Sequence, residues 1–402
     1  MQRISTYRSL DVFRGFAALW VVMCHSCVPW LATHQNFYSN PLYAFSTKGQ
    51  LGVVLFFVIS GYCITAAVHS AVHSGKSLGR YFYERLRRIY PPYVFALLLT
   101  VGTNLAIRLA AVHHLIGPMH HQVVMGPSLS YWAGNLLLLQ TELHTPFINV
   151  VFWSLCYEVA FYMLMGIFLF GAQKFAKTYS PYIATLFLVL ALGASTAASL
   201  TYLSIMGRAI FPFNRWHLFS LGGLLFFLLE IKSSTLSGYT EQARRIIWGT
   251  TGLVCTLTCI YAALRQVGTV DEGHPSSRLQ SITALVFCAA LGWLRRYDAR
   301  ILKIGILRPL LWLGAFSYSL YLVHPVVLPF IDIALRKAGL DGNRYVVTFL
   351  LQIVVSIFAG RLMFAGVERF FLSKKQSQRM ASEHVLGEDD PYKARSLPLP
   401  VP

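Results

Sequence analysis

Apolar residues run along most of this chain in long blocks separated by short polar and basic stretches. A helix that spans a bilayer needs roughly 20 mostly apolar residues. Ten blocks meet or approach that length: 10–29, 51–72, 91–110, 149–171, 181–203, 216–231, 246–264, 279–294, 310–331 and 345–367. The pattern predicts an all-α, polytopic integral membrane protein with about ten transmembrane helices. The apolar run 129–140 is too short to span and is expected to be re-entrant or interfacial. No internal repeat is visible. Residues 1–372 are expected to form one transmembrane domain. From Ser373 the chain turns polar, with the acidic run Glu388, Asp389, Asp390 and a Pro-rich end. Residues 373–402 are therefore expected to be a disordered, polar cytoplasmic tail.

Composition strengthens the membrane reading. Of 402 residues, 55% are hydrophobic and 12% charged, and the mean hydropathy is +0.54. Soluble chains carry about 25% charged residues, so a soluble domain of this length would lack the charge to cover its surface. Lys and Arg number 34 against 16 Asp and Glu, a net charge of +18. In a membrane chain such an excess first reports orientation. With the N-terminus inside and ten spans, 23 basic residues fall on the cytosolic side and nine outside, while Arg14 and Arg361 lie within spans. Both termini are thus expected to be cytoplasmic, in a multi-pass protein of the cell inner (cytoplasmic) membrane. Counting 129–140 as a span would move Lys174, Lys177 and the basic cluster at 295–308 to the other side. Membrane lipid is an expected partner and nucleic acid is not. Arg14 interrupts the first apolar run, so no cleaved signal peptide is expected. Cys24 and Cys27 form a C-x-x-C inside an apolar span and read as small packing residues.

Ionisable residues within spans are costly and suggest function. In the first block Asp11, Arg14 and His25 stand out. Arg14 and His25 are eleven residues apart, which is three helical turns plus about 20°, so they share a face and lie about 16 Å apart along the axis. Asp11 is one turn before Arg14 and can pair with it. Histidine suits proton transfer near neutral pH. The bland alternative is a snorkelling Arg14 and a His25 with one interhelical hydrogen bond. Glu158 sits midway through the fourth block among apolar neighbours, with Arg14 and Arg361 as candidate partners. Arg85 and Arg88 share a helical face in an amphipathic segment, "GRYFYERLRRIYPPY". Such pairs suit bidentate phosphate contacts, but also plain topology or anionic lipid. In the ninth block His324 precedes Pro325, with Tyr318 and Tyr321 within two turns. Outside the spans, "HHLIGPMHH" at 113–121 carries four histidines without Cys, Asp or Glu to complete a ligand set, and no metal is expected.

Taken in order, these stretches resemble the acyltransferase family 3 membrane proteins. The resemblance rests on Asp11, Arg14, Gly15 and His25, then on "GVVLFFVISGY" at 52–62, which includes Ser60. It continues with Arg85, Arg88 and Pro91, then with "WSLCYEVAFY", carrying Trp153, Ser154 and Glu158. "SYSLYLVHP", with Tyr321 and His324, closes it. It covers about 10–370. Some members carry an appended extracytoplasmic hydrolase-like domain, and this chain is expected to be the stand-alone form.

The resemblance implies transfer of an acyl group, acetyl in the first place, from cytosolic acyl-CoA to a hydroxyl of an extracytoplasmic or surface polysaccharide or lipid-linked glycan. In that scheme Arg85 and Arg88 meet CoA phosphates and His25 is the general base. Arg14 orients or stabilises charge, and Glu158 holds His25 or Arg14. Asp11, Ser60, Trp153, Tyr321, His324 and Arg361 are substrate-contacting or supporting. The rival reading is a secondary transporter of a small polar solute or acyl-carrier component, which also places ionisable groups mid-membrane. A lipid-linked glycan polymerase or ligase would be expected to show large outer loops.

Overall fold

Every regular element among the described residues is helical. The computed structural model describes residues 7–31, 41–116, 126, 128–206, 211–232, 240–264, 277–338 and 345–372. In chain order the helices are α1 (Leu10–Leu31), α2 (Pro41–Ser46), α3 (Leu51–Ser74), α4 (Leu78–Val112), α5 (Leu129–Leu137), α6 (Trp153–Thr178) and α7 (Pro181–Met206). They continue with α8 (Phe213–Lys232), α9 (Glu241–Leu264), α10 (Ser277–Leu294), α11 (Asp298–Ile301), α12 (Arg308–Ala315), α13 (Ser317–Lys337) and α14 (Tyr345–Gly366).

Among the described residues, seven helices are long and apolar enough to cross a membrane: α1, α3, α4, α6, α7, α13 and α14. Helices α8, α9 and α10 also fall on predicted blocks but carry charges near their ends: Arg215, Glu230 and Lys232, then Glu241, Arg244 and Arg245, then Arg278. Helix α5 has nine residues. At 1.5 Å per residue it is about 14 Å long, against a hydrocarbon core of about 30 Å. It ends where Leu138 turns left-handed and donates its N–H to the Gly134 carbonyl. The tail from 373 lies outside the described residues.

Helix α3 is the central element. It is 72% buried where α4 is 28% buried, and it touches α1, α6, α7, α8 and α10. Its approach to α8 depends on two glycines. A Cβ on Gly61 would lie 1.8 Å from the Phe219 carbonyl oxygen, and one on Gly222 would lie 1.9 Å from that of Val58. Helices in lipid associate through this kind of close packing, since lipid is as apolar as their side chains. The same device joins α1 to α12. A Cβ on Gly15 would lie 1.9 Å from Leu310 O, and one on Gly314 would lie 1.8 Å from Asp11 O.

Two boundaries correct the hydropathy reading. The block 91–110 is the second part of a single 35-residue helix, α4, that begins at Leu78 and runs through Pro91 and Pro92. The amphipathic segment is thus rigidly continuous with a span. The block 310–331 is two helices, because the chain bends at Phe316 (φ −126°, ψ 24°) and α13 starts at Ser317. Apolarity continues across the bend, so hydropathy does not register it. Both corrections bear on the site, which lies where α1, α3, α4, α6 and α13 converge.

Candidate active site

A cavity of about 100 Å³ opens between these five helices. Its basic wall is formed by Arg14 from α1 and by Arg85 and Arg88 from α4. The rest of the lining includes Ser60 and Cys63 of α3, Ser154, Glu158 and Tyr162 of α6, and Tyr318 and Tyr321 of α13. Arg14 donates through Nη1 to Asp11 Oδ1 (2.9 Å) and through Nη2 to Cys63 Sγ (3.3 Å). Arg85 and Arg88 have no carboxylate within ion-pairing distance among the described residues, and the Arg85 Nε–H is buried without a hydrogen-bond acceptor. With Arg14 paired to Asp11, Arg85 and Arg88 are left facing one cavity-lining carboxylate, Glu158. In a confined, partly desolvated space that imbalance favours an anionic ligand.

Glu158 is held by hydroxyls. Ser60 Oγ donates to its Oε1 at 3.0 Å and Tyr162 Oη at 2.6 Å. Tyr162 is one helical turn after Glu158, and Ser60 reaches across from α3. Nearby, Tyr318 Oη donates to the Ile89 carbonyl at 3.0 Å, two residues before the Pro91-Pro92 step that removes two backbone donors from α4. Tyr321 Oη lies 2.7 Å from Ser154 Oγ and donates to Val151 O at 3.1 Å. These bonds fix the aromatic edge of the cavity.

His25 does not line this cavity. It lies beyond Tyr321, whose ring centroid is 6.0 Å from that of His324, itself 5.0 Å from His25. The hydrogen bonds fix the tautomers of this pair. A carbonyl can only accept, so His324 Nδ1, 3.2 Å from Leu320 O, carries a proton. His25 Nδ1, 3.0 Å from Val21 O, carries one for the same reason. His324 Nε2 is then the acceptor of the 3.2 Å contact with His25 Nδ1. In a neutral His25 the basic lone pair is left on Nε2, the assignment following from the partners rather than from observed hydrogens.

The remaining predicted residues are placed as follows. Asp11 is on Arg14. Trp153 packs edge-on against Phe57, a cavity residue, with the Arg215 guanidinium 4.5 Å above its ring. Arg361 is away from Glu158: its guanidinium lies 5.5 Å over Phe364 and 5.9 Å over Phe316. The reason is that α14 packs on α1 and α13. Glu158 likewise bonds neither Arg14 nor His25, and the group across from His25 is His324. Among the described residues no three His, Cys, Asp or Glu cluster as a metal site. His120 and His121 of the His-rich stretch lie outside the described residues.

Several site residues escaped the sequence reading. Tyr162 was findable as the polar group one turn from Glu158. Cys63 was findable as the polarisable group one turn from Ser60. Glu368 had only its position just past the last span as a signal. It is buried, and its Oε2 accepts from the backbone N–H (3.1 Å) and Oγ (2.6 Å) of Ser319 in the first turn of α13. Burial raises the pKa of this carboxyl above the ordinary glutamate value, with the Ser319 bonds and Arg88 working the other way.

A family model described as an acyltransferase domain matches residues 7–362. The chain is 23% identical over 384 residues to the O-acetyltransferase OatA of Staphylococcus aureus, covering 92% of this chain and 59% of that protein. It is 26% identical over 334 residues to the peptidoglycan O-acetyltransferase OatA of Listeria monocytogenes, covering 79% of this chain and 49% of that protein. The chain thus spans about half to three-fifths of the length of these relatives. No solved structure matches it.

Proposed function

The chain belongs to the acyltransferase family whose model spans residues 7–362, and on that premise we propose that it is a multi-pass O-acyltransferase of the cytoplasmic membrane. It moves an acyl group, acetyl in the first place, from cytosolic acyl-CoA to a hydroxyl of an extracytoplasmic polysaccharide or lipid-linked glycan. The observation that carries the donor side is the cavity faced by Arg14, Arg85 and Arg88 with Glu158 as its one lining carboxylate. Guanidinium groups match phosphate geometry, and CoA carries its phosphates at one end of a narrow arm. The nucleotide stays at the basic end while the arm reaches toward Tyr321 and the histidines. Only a neutral acyl group then crosses the apolar region, which avoids the cost of carrying charge through it.

The acceptor hydroxyl attacks the thioester carbonyl and gives its proton to His25 Nε2. As the tetrahedral intermediate collapses, the C–S bond breaks. His25 then returns the proton to the departing CoA thiolate. His324 supports this by accepting from His25 Nδ1–H, which keeps the lone pair on Nε2. Glu158, fixed by Ser60 and Tyr162, balances the arginines at the phosphate end of the donor.

The test uses the purified protein in nanodiscs with radiolabelled acetyl-CoA and a polysaccharide acceptor, product being read by mass spectrometry. His25→Ala and His25→Gln abolish transfer while folded protein is retained, and Arg85→Ala and Arg88→Ala raise the acetyl-CoA KM. Full transfer by either His25 variant would sink the base assignment. An unchanged KM in both arginine variants would return those residues to topology.

A further inference from the structure

Outside the cavity lining, against Trp153 and Tyr157 of α6, stands a fourth arginine that the proposed mechanism does not use. Arg215 lies in the first turn of α8. Its guanidinium is 4.5 Å over the Trp153 ring and 5.5 Å over Tyr157. Nη1 donates to the neutral Gln280 Oε1 at 2.8 Å, and Nε is buried with no acceptor. Beside it Asn214 Nδ2 donates to Tyr157 Oη at 2.9 Å, leaving Asn214 Oδ1 buried and unbonded. Among the described residues no carboxylate pairs with Arg215. Tyr321 is within electrostatic reach of both Glu158 and Arg215, and Phe57 joins the cavity to Trp153.

A half-buried guanidinium set over two aromatic rings and bonded only to an amide is costly unless an anion completes it. The two cation–π contacts and the Gln280 bond hold the guanidinium in place, and its remaining N–H donors suit a carboxylate or phosphate. An aromatic surface beside a cation also suits carbohydrate, whose C–H faces pack on rings while its polar groups bond at the edge.

We propose that Arg215, on its Trp153–Tyr157 platform, is a subsite for an anionic group carried by the glycan acceptor, a carboxylate or a phosphate. Its assignment to the acceptor rests on the acyltransferase reading; the anion preference itself does not. The acceptor subsite and the donor cavity thus use separate arginines.

The test is equilibrium binding to the full chain in nanodiscs with three probes. These are a hyaluronan tetrasaccharide (carboxylate), a polyprenyl-diphosphate-linked disaccharide (phosphate) and chitotetraose (uncharged). Wild type binds one or both anionic probes about tenfold or more tighter than chitotetraose, the scale expected of charge-assisted hydrogen bonds. The arm that shows the preference identifies the source of the anion. Arg215→Gln removes the preference and leaves acetyl-CoA affinity unchanged. Arg215→Lys keeps part of it, since it keeps the charge without the planar fork. No preference in wild type, or the same preference in folded Arg215→Gln, overturns the subsite. If Arg215→Gln does not fold, Arg215→Lys decides: weaker anionic binding with unchanged chitotetraose binding supports the subsite, and unchanged anionic binding overturns it. Failure of the wild type to bind acetyl-CoA would count against the donor reading and leave the anion measurement standing.

Discussion

His25 and His324 belong to helices 299 residues apart in sequence, and their value as a pair depends on one proton. A base whose lone pair pointed at His324 would be useless to an acceptor hydroxyl. The Leu320 carbonyl prevents this by fixing the proton on His324 Nδ1, which makes Nε2 the acceptor. Under the proposed mechanism His324 is a positioning residue, and its loss should slow the proton transfer step rather than donor binding. His324→Ala is expected to lower kcat by about 100-fold, the lower range for general base catalysis, with acetyl-CoA KM within about twofold. His324→Asn, whose side-chain oxygen can accept from His25 Nδ1–H, should recover part of the rate. Equal losses in kcat and donor affinity, with no recovery by Asn, would make His324 a packing residue. The sequence made Arg14 and His25 legible because both lie on one helix and 3.6-residue periodicity relates them. It could not pair His25 with His324, nor Glu158 with Ser60. Those bonds depend on how α1, α3, α6 and α13 face one another, and the same-helix geometry of Arg361 gave no hint that α14 turns it onto Phe316 and Phe364.

Helix α13 carries Tyr318, Tyr321 and His324, so whatever sets its start also sets the aromatic edge of the cavity. That start is held from outside the spans. Glu368 bonds the Ser319 N–H and hydroxyl, and Arg87 Nη2 donates to the Leu372 carbonyl at 2.9 Å, tying the same segment to α4. The turn after α14 therefore links the two helices that bear the basic and aromatic walls. Because burial raises the pKa of Glu368, the folded state holds its proton more tightly than the unfolded state does. The stabilisation this gives is fully present below the unfolded value of about 4.3 and is lost as pH rises through the folded value. Glu368→Gln keeps an oxygen acceptor for Ser319 and removes the titration. The melting temperature of the Gln variant relative to wild type is expected to rise from pH 4 upward, as measured in detergent between pH 4 and 8. A gap that stays constant across that range would show that burial does not raise the pKa of Glu368. Hydropathy found every long helix but missed this segment and the Phe316 bend, because both are set by hydrogen bonds and glycine contacts, to which apolar content is blind.

At the scale of the molecule, charge and chemistry are arranged along one axis. The N-terminal parts of α1 and α4 bring Arg14, Arg85 and Arg88 to the cavity, and the histidines and Arg215 lie outside its lining. The sequence expectation of 23 basic residues on one side against nine on the other would make the arginine-rich end cytosolic. The donor would then enter from the cytosol and the acceptor from outside, with the acyl group the only part to cross. This sidedness can be measured without knowing the acceptor's identity. Inside-out membrane vesicles, with the cytosolic face outward, are expected to transfer label from added acetyl-CoA to glycan trapped in the lumen. Right-side-out vesicles with intact membranes should not use added acetyl-CoA at all, and should gain activity only when acetyl-CoA is loaded inside. Arg85→Ala and Arg88→Ala should weaken the dependence on acetyl-CoA only from the cytosolic face. Equal use of acetyl-CoA from both faces, with sealed vesicles verified by exclusion of a membrane-impermeant thiol reagent, would break the link between the basic cavity and the cytosol. The cavity would then have to be read as facing the same compartment as its acceptor, and the positive charge at that end would report donor binding without reporting orientation.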